Sequence, residues 1–116
     1  MIVCVSAAGR GLEAAVDPRF GRCGFFAFID TETLEYRCLA NPGASSAGGA
    51  GPEAARFIAG EGAEAVITGQ VGPNALTTLN GLAIRIYETS GGTVGEAVDR
   101  FKEGSLKEIL DRRVRF

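Results

Sequence analysis

The strongest constraint on the fold is a pair of short apolar runs, Ile2-Val3-Cys4-Val5-Ser6 and Ala65-Val66-Ile67-Thr68, each of strand length and without a polar face. Such runs read as central strands covered on both sides, which requires helices above and below a largely parallel sheet. Phe25–Asp30 and Glu35–Ala40 read as two further strands. They are joined by Thr31-Glu32-Thr33-Leu34, a connection short enough for an antiparallel hairpin.

Helical segments fill the second half. Pro52 suits the first position of a helix that runs to about Ala59, with Gly60 and Gly62 as its stop. Gly72-Pro73-Asn74 opens a second helix through about Leu79, and Ala83–Glu88 is the last expected strand. Thr93 with Glu96 matches a capping box for a third helix, which ends near Lys102 with Gly104 as terminator. The tail Ser105–Phe116 reads as a further short helix ending in Arg112, Arg113 and Arg115.

The order β-β-β-α-β-α-β-α has a geometric consequence. A hairpin reverses direction twice and each strand-helix-strand crossover restores it, so strands one, three, four and five are parallel and strand two opposes them. Arg37 and Arg85 interrupt the third and fifth strands and suggest that these are edges. The predicted order is 3-2-1-4-5, an α/β fold with a five-stranded mixed sheet flanked by helices. The first two helices share one face because both right-handed crossovers step the same way, and the third covers the other.

Several function classes are disfavoured by composition. The 116 residues are the size of one domain with one core, so 1–116 is expected to form a single unit. A formal net charge of -2 supplies no basic field for nucleic acid or an anionic membrane, and no apolar run approaches a membrane span. Cys4, Cys23 and Cys38 lack CxxC spacing, which fits a reducing cytoplasm and argues against a disulfide framework. The absence of histidine removes His-based acid–base chemistry, catalytic triads and His-ligated metal sites. No carboxylate lies in the first strand, so the acid cluster of a two-metal nuclease cannot assemble there. A non-enzymatic role is expected.

In this topology the loops after strands one, three, four and five emerge at one sheet edge, where open α/β sheets bind their ligands. These loops are Val16-Asp17-Pro18-Arg19-Phe20-Gly21-Arg22-Cys23, Gly48-Gly49-Ala50-Gly51, Thr68-Gly69-Gln70-Val71-Gly72-Pro73-Asn74 and Ser90-Gly91-Gly92-Thr93. Three of them lead into helix N-termini, which favour anions, and glycine lets backbone approach a ligand closely. Arg19 and Arg22 are suited either to hold an anion or to pair with Asp17 or Glu53. Cys23 beside Arg22 is either a thiol of lowered pKa available to iron or a small residue packed at a strand start. Cys4 and Cys38 fall within strands and read as core thiols.

The succession Val16-Asp17-Pro18-Arg19-Phe20-Gly21-Arg22-Cys23, Asn41-Pro42, Gly49-Ala50-Gly51, Ile67-Thr68-Gly69, Gly72-Pro73-Asn74-Ala75 and Gly92-Thr93-Val94 resembles the dinitrogenase iron-molybdenum cofactor biosynthesis family. These are small proteins similar to NifX and to the carboxy-terminal region of NifB, tied to nitrogen fixation. The resemblance implies a ribonuclease-H-like motif and a carrier of an iron-molybdenum cofactor or its iron-sulfur precursor. Carried onto this chain, it points to Arg19, Phe20, Gly21, Arg22 and Cys23, with Gly48, Gly49 and Gly51 and the loop holding Gly69, Gly72 and Asn74 beside them. Cys23 is the implied metal ligand. The implied partners are cofactor donor and acceptor proteins, with the chain a monomer or a homodimer. Where carriers of the family use histidine, this chain departs from them. The alternative reading is a regulatory or adaptor module that binds a small phosphorylated ligand at the same glycine loops.

Overall fold

The computed structural model describes residues 1–46 and 48–110. In chain order the elements are β1 (Ile2–Ala7), β2 (Phe25–Asp30), β3 (Tyr36–Ala40), α1 (Ala50–Gly60), β4 (Ala65–Thr68), α2 (Pro73–Gly81), β5 (Arg85–Glu88), α3 (Val94–Glu103) and β6 (Lys107–Ile109). The sheet order is β3-β2-β1-β4-β5-β6. β1, β3, β4 and β5 are parallel, as expected, and β2 opposes them.

The expected fifth edge is not an edge. A sixth strand, β6, pairs antiparallel with β5, with Ile86 opposite Ile109 and Glu88 opposite Lys107. Lys107–Ile109 therefore corrects the expected helix over Ser105–Phe116, and residues 111–116, which hold the three arginines, lie outside the described residues. The cause is tertiary. Gly104 ends α3 in the left-handed conformation at φ 75, which turns the chain back beside the unpaired backbone of β5. Arg85 was a misleading edge signal, because its guanidinium bonds the Glu108 carboxylate on the neighbouring strand at 2.8 Å. Arg37 does lie on an edge strand, where it pairs with Glu61.

Both faces of the sheet are covered. On one side Phe26, Phe28, Val66 and Ile86 pack with Ala54, Ala55 and Ile58 of α1 and Ala75 and Leu79 of α2. On the other, Val3, Val5, Ala27, Ile29 and Ile67 pack against Val94, Ala97 and Val98 of α3. Successive residues of β1 feed opposite layers, Cys4 to the first and Val3 and Val5 to the second, which is why that run contains no polar face. Each fully buried large aliphatic side chain contributes about 1.5–3 kcal/mol, so this two-sided core holds the strand ends rigidly in place.

Candidate functional site

The parallel strands β1, β3, β4 and β5 put the loops that follow them at one edge of the sheet. The longest, 8–24, is stitched down by backbone and by buried hydroxyls. Ser6 Oγ lies 2.7 Å from both the Asp17 carbonyl oxygen and Thr68 Oγ1, and the Asp17 N–H donates to the Ser6 carbonyl. Next to this, the Gln70 N–H donates to the Pro18 carbonyl at 2.6 Å and the Phe20 N–H to the Gln70 carbonyl at 3.2 Å. The loops after β1 and β4 are thereby locked together.

The result is a groove of about 290 Å³ lined by Phe20, Gly21 and Arg22 from the first loop, by Gly49, Ala50, Gly51 and Pro52 at the start of α1, and by Gly72, Pro73, Asn74 and Ala75 at the start of α2. Neither helix has a side-chain cap. The first-turn N–H groups of a helix have no partner within the helix, so two positive dipole ends border the same space. Arg22 is the only charged residue among the described residues lining it. The groove thus offers hydrogen-bond donors and positive potential, an arrangement chemically suited to an anion.

Of the expected site residues, Phe20, Gly21, Arg22, Gly49, Gly51, Gly72 and Asn74 line the groove, whereas Arg19, Cys23, Gly48 and Gly69 do not. Ala50 and Pro73, which belong to the expected loops, line it too, and so do Pro52 and Ala75, which those loops did not include. Their local signal was the proline at each helix start.

The structure decides between the roles left open for several of these residues. Arg19 turns to its neighbour Asp17, whose carboxylate accepts from the Arg19 backbone N–H at 3.0 Å, from Nε at 3.2 Å and from Nη2 at 3.1 Å. Burial pushes the Asp17 carboxyl up, but the Arg19 hydrogen bonds and charge outweigh this and hold it below its usual value. Arg22 donates from Nη1 to the carbonyl oxygens of Ala44, at 3.2 Å, and Ser46. Gly21 and Gly51 serve chain packing as much as access. A Cβ on Gly21 would lie 2.8 Å from the Gly51 nitrogen, and one on Gly69 would lie 2.7 Å from the Pro18 Cα.

Of the two roles open to Cys23, the structure takes the small residue packed at a strand start and not the thiol of lowered pKa. Its side chain is buried as part of the core cluster that also holds Phe20, Phe26 and Ala54, and Sγ faces the Phe20 carbonyl oxygen at 3.3 Å. Burial, and then the charge of Asp17, push its pKa up to about 12. Adjacency to Arg22 in sequence has no such effect in space, because the guanidinium is committed to the 44–46 carbonyls. Cys4 is likewise buried, and its thiol is pushed up by burial and then by Cys23. Cys38 is only partly buried and accepts the Gly11 N–H at 3.3 Å. Among the described residues no three His, Cys, Asp or Glu side chains form a group that could hold a metal ion.

Asn41 is the positioning residue that the residue-by-residue chemistry passed over. Its Nδ2 donates to the carbonyls of Gly21 at 3.1 Å and Cys23 at 3.0 Å, while its Oδ1 accepts the Gly43 N–H. The Asn-Pro-Gly triplet is a turn signature, but the long-range half of its bonding has no sequence signal. No helix among the described residues is long and apolar enough to cross a membrane.

A six-stranded mixed sheet with a donor-lined groove at its parallel edge is the class of structure defined here. The dinitrogenase iron-molybdenum cofactor family model matches residues 1–104, and the chain belongs to that family. It is similar to the apo form of the orange protein from Desulfovibrio gigas, with 36% identity, coverage of 93% of this chain and 92% of that one, and a TM-score of 0.90. A Thermotoga protein described as a candidate NifB shares 34% identity over 97% of this chain and 98% of its own, with a TM-score of 0.82. An uncharacterized protein of Methanocaldococcus jannaschii is 29% identical, covering 81% of this chain and 82% of the relative.

Proposed function

We propose that the groove between the starts of α1 and α2 binds an anionic iron-sulfur or iron-molybdenum-type cluster, or its precursor, as cargo during cofactor assembly. The carrying observation is that two uncapped helix N-termini and Arg22 border one space without a carboxylate in its lining among the described residues. Family membership supports a role in iron-molybdenum cofactor assembly, which makes a metal–sulfur anion the first ligand class to consider. The lining provides N–H donors and a guanidinium instead of thiolates, so it suits a preassembled anion held by charge and hydrogen bonds. In this reading Cys23 shapes the groove from beneath and is not a ligand. The chain is a cytoplasmic, non-enzymatic carrier that receives its cargo from one protein and yields it to another. The β3-β2-β1-β4-β5 part of the sheet, with its second strand reversed, is the pattern that supports the ribonuclease-H-like reading, with β6 added at its edge.

The test is anaerobic titration with thiomolybdate, a compact molybdenum–sulfur dianion, followed in the visible spectrum for wild type and Asn74→Asp. The substitution places a carboxylate at the start of α2, where it is compatible with the helix dipole but competes with an anion. We expect about one anion per chain in the wild type and about tenfold or greater weakening in the variant. Equal affinity in the two proteins, or no uptake by the wild type, would overturn the reading. The same donor set also suits a phosphorylated ligand, and thermal stabilisation by nucleotides under metal-free conditions would favour that assignment over a metal–sulfur cargo.

A further inference from the structure

We infer that Arg22 is a latch: in the free protein it holds the turn Asn41–Ser46 closed, and it releases that turn when an anion in the groove takes the guanidinium. This rests on the anion-binding reading of the groove. Arg19, Arg37 and Arg85 each have a carboxylate partner. Arg22, the cation at the groove, has none within ion-pair distance among the described residues and rests on two neutral acceptors, the Ala44 and Ser46 carbonyl oxygens. Both carbonyls are held by Nη1 alone, and an anion meets the guanidinium with a full opposite charge where a carbonyl offers only a dipole, so an anion that takes Nη1 displaces the turn from it.

The turn has few other ties. The Ser46 N–H donates to the Gly43 carbonyl at 3.0 Å, the Ala44 N–H to the Asn41 carbonyl at 3.3 Å, and Ser46 Oγ to the Glu53 carboxylate at 2.8 Å. The first two lie within the turn and the third is a single part-buried tie to α1, whereas Asn41 anchors the turn's base and the Gly43 N–H through bonds that are mostly buried. Loss of Arg22 therefore loosens residues 44–46 while Asn41, and Gly43 bonded to it, stay fixed. The surface beside the groove then differs between the empty and loaded states, which gives a donor or acceptor protein a feature that distinguishes them.

Hydrogen exchange of the full-length protein tests both halves of the inference, read at the amides of Ala44 and Ser46 against those of β1 and β4. In the free protein, Arg22→Gln is expected to raise exchange at 44–46 by about tenfold, the scale of one lost charge-assisted hydrogen bond, with the strands unchanged. Unchanged exchange at the turn overturns the latch without involving any ligand. In the wild type, saturating thiomolybdate is expected to raise exchange at the same amides. Bound thiomolybdate that leaves the turn unchanged or protects it overturns the coupling. Failure of thiomolybdate to bind at all removes the binding reading and the coupling with it, while the free-protein comparison still decides whether Arg22 holds the turn.

Discussion

Gly51 in the first turn of α1 abuts Ala75 in the first turn of α2 so closely that a Cβ on Gly51 would lie 2.8 Å from the Ala75 Cβ. This contact sets how near the two helix starts approach, and hence how far their positive ends reinforce one another across the groove.

Gly51→Ala should therefore destabilise the fold. Alanine is favoured over glycine in a helix by up to about 1 kcal/mol, whereas overpacking a contact of this kind costs typically about 1–3 kcal/mol. The Ala75 methyl is fixed to its backbone and cannot rotate away, so the clash prevails. Gly81→Ala, where an added Cβ meets nothing within 4 Å, is the control and should be neutral or stabilising. Denaturant midpoints of the two variants check the difference, and a Gly51→Ala protein as stable as wild type would show that the helices separate without cost.

Thiol labelling distinguishes the three cysteines. Cys4 and Cys23 are buried with raised thiol pKa values, and Cys38 is partly exposed on an edge strand. Iodoacetamide at about pH 8 should modify Cys38 in the native protein and reach the other two only on unfolding. Cys23 contributes stability that is complete below the unfolded thiol value, about 8.5, and is lost as pH rises toward the folded value of about 12. Cys23→Ala should keep thiomolybdate binding within about threefold of wild type, since the thiol does not line the groove. Mass spectrometry of the labelled native protein provides the reading, and rapid labelling of Cys23 would contradict its buried placement.

The Asp17–Arg19 pair gives an acid dependence. The folded Asp17 carboxyl is held below its unfolded value, so its stabilisation is present above about pH 4 and is lost as pH falls through the folded value. Asp30 and Glu96, also lowered by backbone N–H groups, add to the same slope. Thermal unfolding between about pH 2 and 7 should show a fall in Tm on acidification that is shallower in Asp17→Asn. An identical slope in the variant would mean that Asp17 does not change its protonation on unfolding in this range.

Local patterns carried much of the architecture. The capping box of Thr93 and Glu96, the terminator Gly104 and the stops at Gly60 and Gly62 depend on neighbours within a turn, and the structure has α3 and α1 bounded by them. The strand order followed from connection lengths and handedness, which a chain declares without knowledge of its packing. The same reasoning brought the glycine-rich loops to one edge, so the region of the groove was legible before its shape.

What sequence reading missed depends on distance in space. Lys107–Ile109 became a strand because β5 offered an unpaired edge, and no propensity of three residues reports a partner about twenty positions earlier. Cys23 and Arg22 are adjacent along the chain, yet one lies in the aromatic layer and the other reaches the 44–46 turn, so a pKa argument from adjacency failed. The order of elements and the edge at which their loops emerge were set by local pattern and chain connectivity. Which donors face the groove, which cation is already paired and which thiol is sealed away were decided by tertiary packing, because charge and burial act through space.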